Sequence, residues 1–325
     1  MAKLKVSGGF TSLKLMLLKY KSIFVVYDAN VEDHVKKFVS SHPSLPITAD
    51  ESHKTMDTVL EICNWLLSQN AGRDALVLAV GGGVTTDMAG MAAGIYKRGI
   101  RYANVPTTLL GMVDASIGGK TGVNAGGFKN MLGVFHQPEF TYICPQTLRT
   151  LSSREFKSGA AELLKTFIIK NDKGNYEKAL QVLSAPLDTD ALTPLIESAA
   201  GIKEKIVRKD PGDKGERMVL NLGHTYGHAI EWWQRKSCQE NPYTHGEAVA
   251  IGIVQAARKS EDRQIAKAGL AEKLRADFNY CGLPSDLPCS EAELEEALSQ
   301  DKKAGGGKLN FVFIKDIGHV SVKKI

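Results

Sequence analysis

Nowhere in the chain is there an apolar run approaching the ~20 residues that a membrane-spanning helix needs. The longest candidates, such as "DALVLAVGGG" at 74–83, are strand-length. The first residues, "MAKLKVSGGFTSLKLMLLKYKS", hold the short run "LMLLKY" but neither the core nor the cleavage pattern of a secretory signal. Together these point to a cytoplasmic protein without a membrane partner. Cysteine is scarce: Cys63, Cys144, Cys238, Cys281 and Cys289 are odd in number and scattered. That argues for reduced thiols and against a disulfide framework or an all-cysteine zinc site. No long Lys/Arg tract occurs and the formal charge is only +5, so nucleic acid is a poor partner. A small anionic substrate would use the same excess if the cations converge on one pocket. There is no internal repeat, no low-complexity segment, and no G-x-G-x-x-G spacing of the usual dinucleotide fingerprint.

What is there reads as a globular α/β protein. Its 325 residues suffice for one large domain or two ordinary ones. Up to about residue 145, short β-type runs alternate with helical patterns: "SIFVVYD" (22–28), "DALVLAVGGG" (74–83) and "RYANVPTT" (101–108) as strands, "TMDTVLEICNWLLSQN" (55–70) as a helix. Such alternation indicates a parallel sheet covered by helices. From 146 to 325 the pattern is mainly helical. It opens with Ser152 three residues before Glu155, a capping-box spacing, and closes on "KLNFVFIKDIGHVSVKKI", a small β-hairpin.

Three stretches carry candidate chemistry. "AVGGGVTTDMAG" follows a strand and leads into a helix, where glycines and free N–H groups can receive a phosphate; Asp87 adds a carboxylate at the first helical turn. The segment 98–138 places Asp114, Lys120, Asn124, Lys129 and Asn130 among glycines and small residues, which reads as a long loop shaped around a ligand. In "LNLGHTYGHAIE" (220–231), Asn221, His224, His228 and Glu231 fit one helix face. Two histidines four apart can bind one divalent metal. Further donors are Glu162 in "GAAELLKTF" and His245 in "THGEAVAIG". Mixed His/Glu sets of three are typical of catalytic zinc, but spacing does not say which three.

Taken in order, "GGGVTTDMAG", "VPTTLLGMVDASIGGKTGVN", "FKNMLG", "SGAAELLKT", "LNLGHTYGHAIE" and "HGEAVAIG" span nearly the whole chain. With them the chain resembles the 3-dehydroquinate synthase family of sugar phosphate cyclases. The resemblance implies an α/β nucleotide-binding domain over 1–145, a mainly α-helical metal- and substrate-binding domain over 146–325, and a homodimer. It implies Zn²⁺ or Co²⁺ on Glu162, His224 and His245, with His228 handling protons beside them. NAD would be held by Asp28, Asn30, Glu51, Lys54, Gly82, Gly83, Asp87, Thr107 and Thr108, with Lys129, which also meets the substrate. The substrate would meet Asp114, Lys120, Asn130, Lys165, Lys203, Arg217, Asn221, His228 and Lys302 or its neighbour Lys303, with Arg98 reaching a phosphate across the dimer. Of these, Asp114, Lys120, Lys165, Asn221 and His228 would be catalytic. The implied reaction turns 3-deoxy-D-arabino-heptulosonate 7-phosphate into 3-dehydroquinate and phosphate by transient oxidation with NAD, phosphate elimination, re-reduction and intramolecular aldol closure.

Two features depart from the family pattern: "AGGF" follows "TGVN", and "WWQRKSCQENPYT" lengthens the stretch between His228 and His245. Two other enzymes compete. One is a different sugar phosphate cyclase, against which "DASIGGKT" resembles the dehydroquinate branch. The other is a metal- and NAD-dependent polyol dehydrogenase, which has no need of so many lysines. A non-catalytic NAD-binding regulator would tolerate loss of metal ligands, yet every one is present.

Overall fold

A computed structural model describes residues 3–304 and 310–324, without the side chains of residues 34, 37–39, 291 and 300–304. The chain forms two compact units, Met1–Leu151 and Ser152–Ile325.

The first unit runs β1 (Lys3–Val6), α1 (Thr11–Leu17), β2 (Ile23–Asp28), α2 (Glu32–Val39), β3 (Ser44–Ile47), α3 (Met56–Ser68), β4 (Leu76–Gly81), α4 (Gly83–Ile95), β5 (Arg101–Pro106), β6 (Lys120–Ala125), β7 (Phe128–Phe135) and β8 (Phe140–Ile143). Six strands form one parallel sheet in the order β1-β8-β5-β4-β2-β3. Alternate side chains leave a strand on opposite faces. Phe24, Val26, Val77 and Ala79 meet Val59 and Ile62 of α3 and Met88 of α4 on one face. Val25, Tyr27, Leu76 and Leu78 meet Leu13 and Leu17 of α1 and Val35 of α2 on the other. With both faces covered, β4 is buried at every position, which is why its sequence is continuously apolar.

The expected parallel sheet and the three expected strands are present. The glycine-rich segment differs from the loop expected there. It folds into a π-helical turn, Gly111–Ala115, and an antiparallel β6–β7 hairpin. Gly126 and Gly127, at φ +59° and +78°, make its two-residue turn, a conformation that favours glycine at both positions. The divergent "AGGF" is therefore the hairpin tip.

The second unit runs α5 (Ser153–Ile169), α6 (Asn175–Ser184), α7 (Thr189–Lys209), a 3₁₀ segment (Glu216–Asn221), α8 (His224–Lys236), α9 (His245–Asp262), α10 (Leu270–Tyr280), α11 (Glu291–Ala304), β9 (Asn310–Asp316) and β10 (His319–Lys324). The last two strands form the expected terminal hairpin. Ser152 caps α5 by accepting from Glu155 N–H at 3.2 Å. The full reciprocal capping box lies instead at Thr244 and Glu247, ahead of α9. Ala229 and Ile230 of α8, Ala248 and Ile251 of α9, and Leu294 and Ala297 of α11 form an apolar core among these helices.

Candidate active site

In the first unit, β4 delivers the chain to Gly82, and α4 begins at Gly83. A Cβ on Gly82 would lie 3.0 Å from Thr108 Cγ2, and one on Gly83 2.9 Å from Ala115 Cβ. The backbone of this turn therefore packs against the turn after β5, whose Thr107 N–H donates to Gly81 O at 2.9 Å. Thr108 Oγ1 accepts from Gly111 N–H at 3.0 Å. Free N–H groups at the start of α4 complete an anion-receptive corner.

Asp87 was expected in the first turn of this helix. It is the fifth residue of α4, beyond the reach of a strong dipole effect. Its carboxylate instead takes Lys54 Nζ at 2.6 Å, and the same ammonium donates to Asn130 Oδ1 at 2.6 Å. Asn124 extends this network. Its Oδ1 accepts from Asn130 N–H at 2.9 Å, and its Nδ2 donates to Glu51 Oε2 at 2.9 Å. Glu51, Lys54, Asp87 and Asn130 thus come together, with Asn124, which was not assigned a role, as the connecting residue. At the end of β2, Asp28 Oδ1 accepts from the backbone and side chain of Asn30 at 2.9 and 3.0 Å. Burial raises the Asp28 carboxyl, and these bonds oppose the rise. Asp114 sits in the π turn, Lys120 is exposed at the start of β6, and Lys129 is half-buried on β7. Arg98 is exposed within three successive residues of positive φ (Lys97 +50°, Arg98 +68°, Gly99 +111°). Left-handed backbone at two non-glycine residues is costly; Lys97 Nζ and Tyr96 OH, both donating to Ala71 O, tie the bend down.

The second unit holds a denser cluster. Glu162 on α5 is fully buried. Its Oε2 lies 2.5 Å from Lys165 Nζ, one turn on. Its Oε1, without a hydrogen-bond partner among the described residues, lies 3.6 Å from Nε2 of His245 and 4.0 Å from Nε2 of His224. One donor atom from each of Glu162, His224 and His245 falls within 4.8 Å of the others. Nδ1 of His224 is 3.2 Å from Leu222 O. A carbonyl only accepts, so the proton sits on Nδ1 and the Nε2 lone pair faces Glu162. Burial holds the His224 imidazole well below its ordinary pKa, and the Lys165 cation, His245 and His228 push the same way. Neutral imidazole is the form a metal requires. A buried, unpartnered carboxylate oxygen facing two imidazole nitrogens fits a divalent cation, and the His₂Glu donor set is a catalytic zinc set.

Asn221 was expected on the helix face of His224. It closes the preceding 3₁₀ segment instead, and Gly223 at φ +78° separates it from α8. His228 is exposed, its ring centroid 5.3 Å from that of His224. Lys165, Lys203 and Arg217 are all buried, at 1%, 6% and 3% exposure; Lys165 pairs with Glu162, and Arg217 Nη1 donates to Pro211 O at 3.2 Å. Asp210 shapes the turn before Arg217 by accepting from the N–H groups of Lys214, Gly215 and Arg217. Lys302 and Lys303 lie outside the residues whose side chains are described.

Residues 44–158 match the family described as 3-dehydroquinate synthase N-terminal, and residues 159–304 the family described as 3-dehydroquinate synthase C-terminal. The chain is 41% identical over 307 residues to the 3-dehydroquinate synthase of Acidithiobacillus ferrooxidans strain ATCC 53993, covering 91% of this chain and 83% of that protein. Among solved structures, it is similar to the 2-epi-5-epi-valiolone synthase of Streptomyces hygroscopicus subsp. jinggangensis 5008 with NAD⁺ and Zn²⁺ bound. The TM-score is 0.88 at 27% identity, over 99% of this chain and 92% of that one. A 2-deoxy-scyllo-inosose synthase complexed with carbaglucose-6-phosphate, NAD⁺ and Co²⁺ shares the fold, with a TM-score of 0.87 at 24% identity over 99% and 93% of the two chains.

Proposed function

The chain belongs to the 3-dehydroquinate synthase family, and from that premise we propose that it converts 3-deoxy-D-arabino-heptulosonate 7-phosphate to 3-dehydroquinate and phosphate, a phosphate-eliminating carbon–oxygen lyase step in aromatic amino acid biosynthesis. The observation that carries the reading is the Glu162–His224–His245 cluster with buried Lys165 beside it. Glu162, His224 and His245 would hold Zn²⁺ or Co²⁺, and the metal supplies a Lewis acid that acidifies the reacting hydroxyl and polarises the derived ketone. NAD supplies a hydride acceptor that is restored within each turnover. Its holders would be Asp28, Asn30, Glu51, Lys54, Gly82, Gly83, Asp87, Thr107, Thr108 and Lys129 of the first unit; the tight glycine turn and the Lys54 network support that assignment.

The chain's own contribution is charge and orientation. Lys165, Lys203 and Arg217 would balance the substrate's carboxylate and phosphate and stabilise enolate-like charge as it develops. Burial strengthens each of these contacts because little water screens them. His228, exposed one turn from His224, would exchange protons with substrate and solvent. Asp114, Lys120, Asn130, Asn221, Lys302 and Arg98 are the remaining substrate residues of the proposal, with Arg98 serving the second copy of a homodimer. No helix among the described residues is long and apolar enough to cross a membrane; together with the reduced cysteines, this supports a cytoplasmic enzyme.

The test supplies the protein with Zn²⁺, the heptulosonate phosphate and less than one equivalent of NAD. Many phosphates released per NAD, with no net NADH, are expected. Stoichiometric NADH without phosphate release would make the protein a polyol dehydrogenase, and turnover of another sugar phosphate in place of this one would make it a sister cyclase.

A further inference from the structure

Glu231 is 4% exposed and lies two turns beyond His224 on α8. Its Oε1 stands 3.3 Å from Nδ1 of His245, the residue that opens α9. Nε2 of the same ring stands 3.6 Å from Glu162 Oε1. One imidazole therefore spans two buried carboxylates, one at each nitrogen. A neutral imidazole has a single proton to give, and a carboxylate accepts it. The two acceptors are unequal, because the Lys165 ammonium 2.5 Å from Glu162 already offsets that carboxylate's charge. His224 resolves the same choice through Leu222 O, which takes Nδ1 and leaves Nε2 to the cluster.

The setting of His245 is built to keep this contact. Gln234, three residues beyond Glu231, donates to Tyr243 O at 3.0 Å and accepts from Tyr243 N–H at 2.7 Å. The lengthened connection is thus closed at its base, and the Thr244–Glu247 capping box sets His245 as the first residue of α9. Arg154 on α5 pins the same corner, donating to Pro242 O and pairing with Glu247 at 3.2 Å.

We infer that Glu231 is a positioning residue: its carboxylate holds the Nδ1 proton of His245 and turns the Nε2 lone pair toward Glu162 and His224. One helix then supplies both a metal-facing histidine and the carboxylate that aims the other. The consequence for metal binding rests on the metal reading above.

The experiment uses the full-length protein and the variants Glu231→Gln and Glu231→Ala, stripped of metal. Histidine ¹⁵N shifts report which ring nitrogen of His245 is protonated. Titration with Co²⁺, followed by visible absorption, reports affinity, and thermal unfolding checks that each variant folds. In the wild type His245 is expected to carry its proton on Nδ1. In Glu231→Ala the proton shifts toward Nε2 and Co²⁺ affinity falls about 10- to 100-fold, the usual effect of losing such a partner. Glu231→Gln keeps size and an acceptor oxygen but loses the charge, and falls between. If the wild type takes up no Co²⁺, the metal reading fails and this inference with it. If the wild type binds Co²⁺ and both variants bind it equally well with the His245 proton unmoved, Glu231 only packs, and this inference alone is overturned.

Discussion

A lysine with 1% of its side chain exposed persists in a folded protein only beside an anion. Lys165 has Glu162 at 2.5 Å, so its substitution acts on stability as well as on substrate. Lys165→Met keeps the bulk of the stem but leaves the buried Glu162 carboxylate without its ammonium. Breaking one side of a buried pair typically costs about 3–5 kcal/mol. The metal-free variant is therefore expected to melt well below wild type, and Zn²⁺, a replacement cation for Glu162, should recover much of the difference. Equal melting of the two metal-free proteins would place Lys165 outside the pair. A second residue effect concerns the turn that carries Glu51 and Lys54. Asp50 accepts from Ser52 Oγ at 2.6 Å and from the His53 ring at 2.8 Å, and these bonds hold its carboxyl down at about 2. A depressed carboxyl stabilises the fold above its unfolded value near 4, and that contribution is lost as pH falls toward about 2. Asp50→Asn is expected to lower the melting temperature at pH 7, with the gap to wild type closing between about pH 4 and about pH 2. A gap constant with pH would show that charge plays no part in this turn.

At the scale of elements, the Glu162–His224–His245 cluster is a product of helix crossings made at glycines. A Cβ on Gly252 of α9 would lie 2.1 Å from Gly223 O and 2.9 Å from Gly227 N, at the start of α8. A Cβ on Gly246 would lie 1.9 Å from Ser158 O of α5. Backbone thus meets backbone where the helices bearing Glu162, His224 and His245 cross, and no rotamer change can relieve an added methyl there. Overpacking usually costs about 1–3 kcal/mol. Gly252→Ala is expected to destabilise by at least that much and to weaken Zn²⁺ binding, because α8 must move off α9 and carry His224 with it. Unchanged Zn²⁺ affinity by calorimetry, at reduced stability, would show that the crossing does not set the ligand distances.

For the whole molecule, the first unit leaves an apolar ribbon in solvent. On β7, Met131 and Phe135 share one face at 64% and 60% exposure, and Phe128 and Leu132 the other at 55% and 45%. A patch of this kind marks an interaction surface, and the proposed homodimer is its natural occupant. Sedimentation should give twice the chain mass. The double substitution Met131→Lys with Phe135→Lys should give one chain mass with both folded units intact. A wild-type monomer would leave Arg98 without the second copy that its proposed role requires.

Much of the α/β architecture was legible because burial writes itself into local sequence. β4 is buried throughout and β2 as far as Tyr27, so both read as apolar runs, while β5 is buried from Tyr102 to Pro106 with Asn104 as its polar interruption. β1, β3 and β8 have only four residues each, too short to display a period. The β6–β7 hairpin was hidden because its glycines serve a turn and a close strand pair as readily as a loop. The motifs carrying Glu162, His224 and His245 were likewise legible as donors, since residue type and order are properties of the chain. Their union was not: spacing describes one element, whereas the distances among these three side chains are set by how α5, α8 and α9 cross. The same limit explains the rest. Positive φ at Gly223 took Asn221 off the helix, Lys54 claimed Asp87 from 33 residues away, and Glu231 met His245 only because Gln234 closed the intervening loop. Local sequence supplied the chemistry, and only long-range packing, through backbone contacts that glycine permits, decided which groups share it.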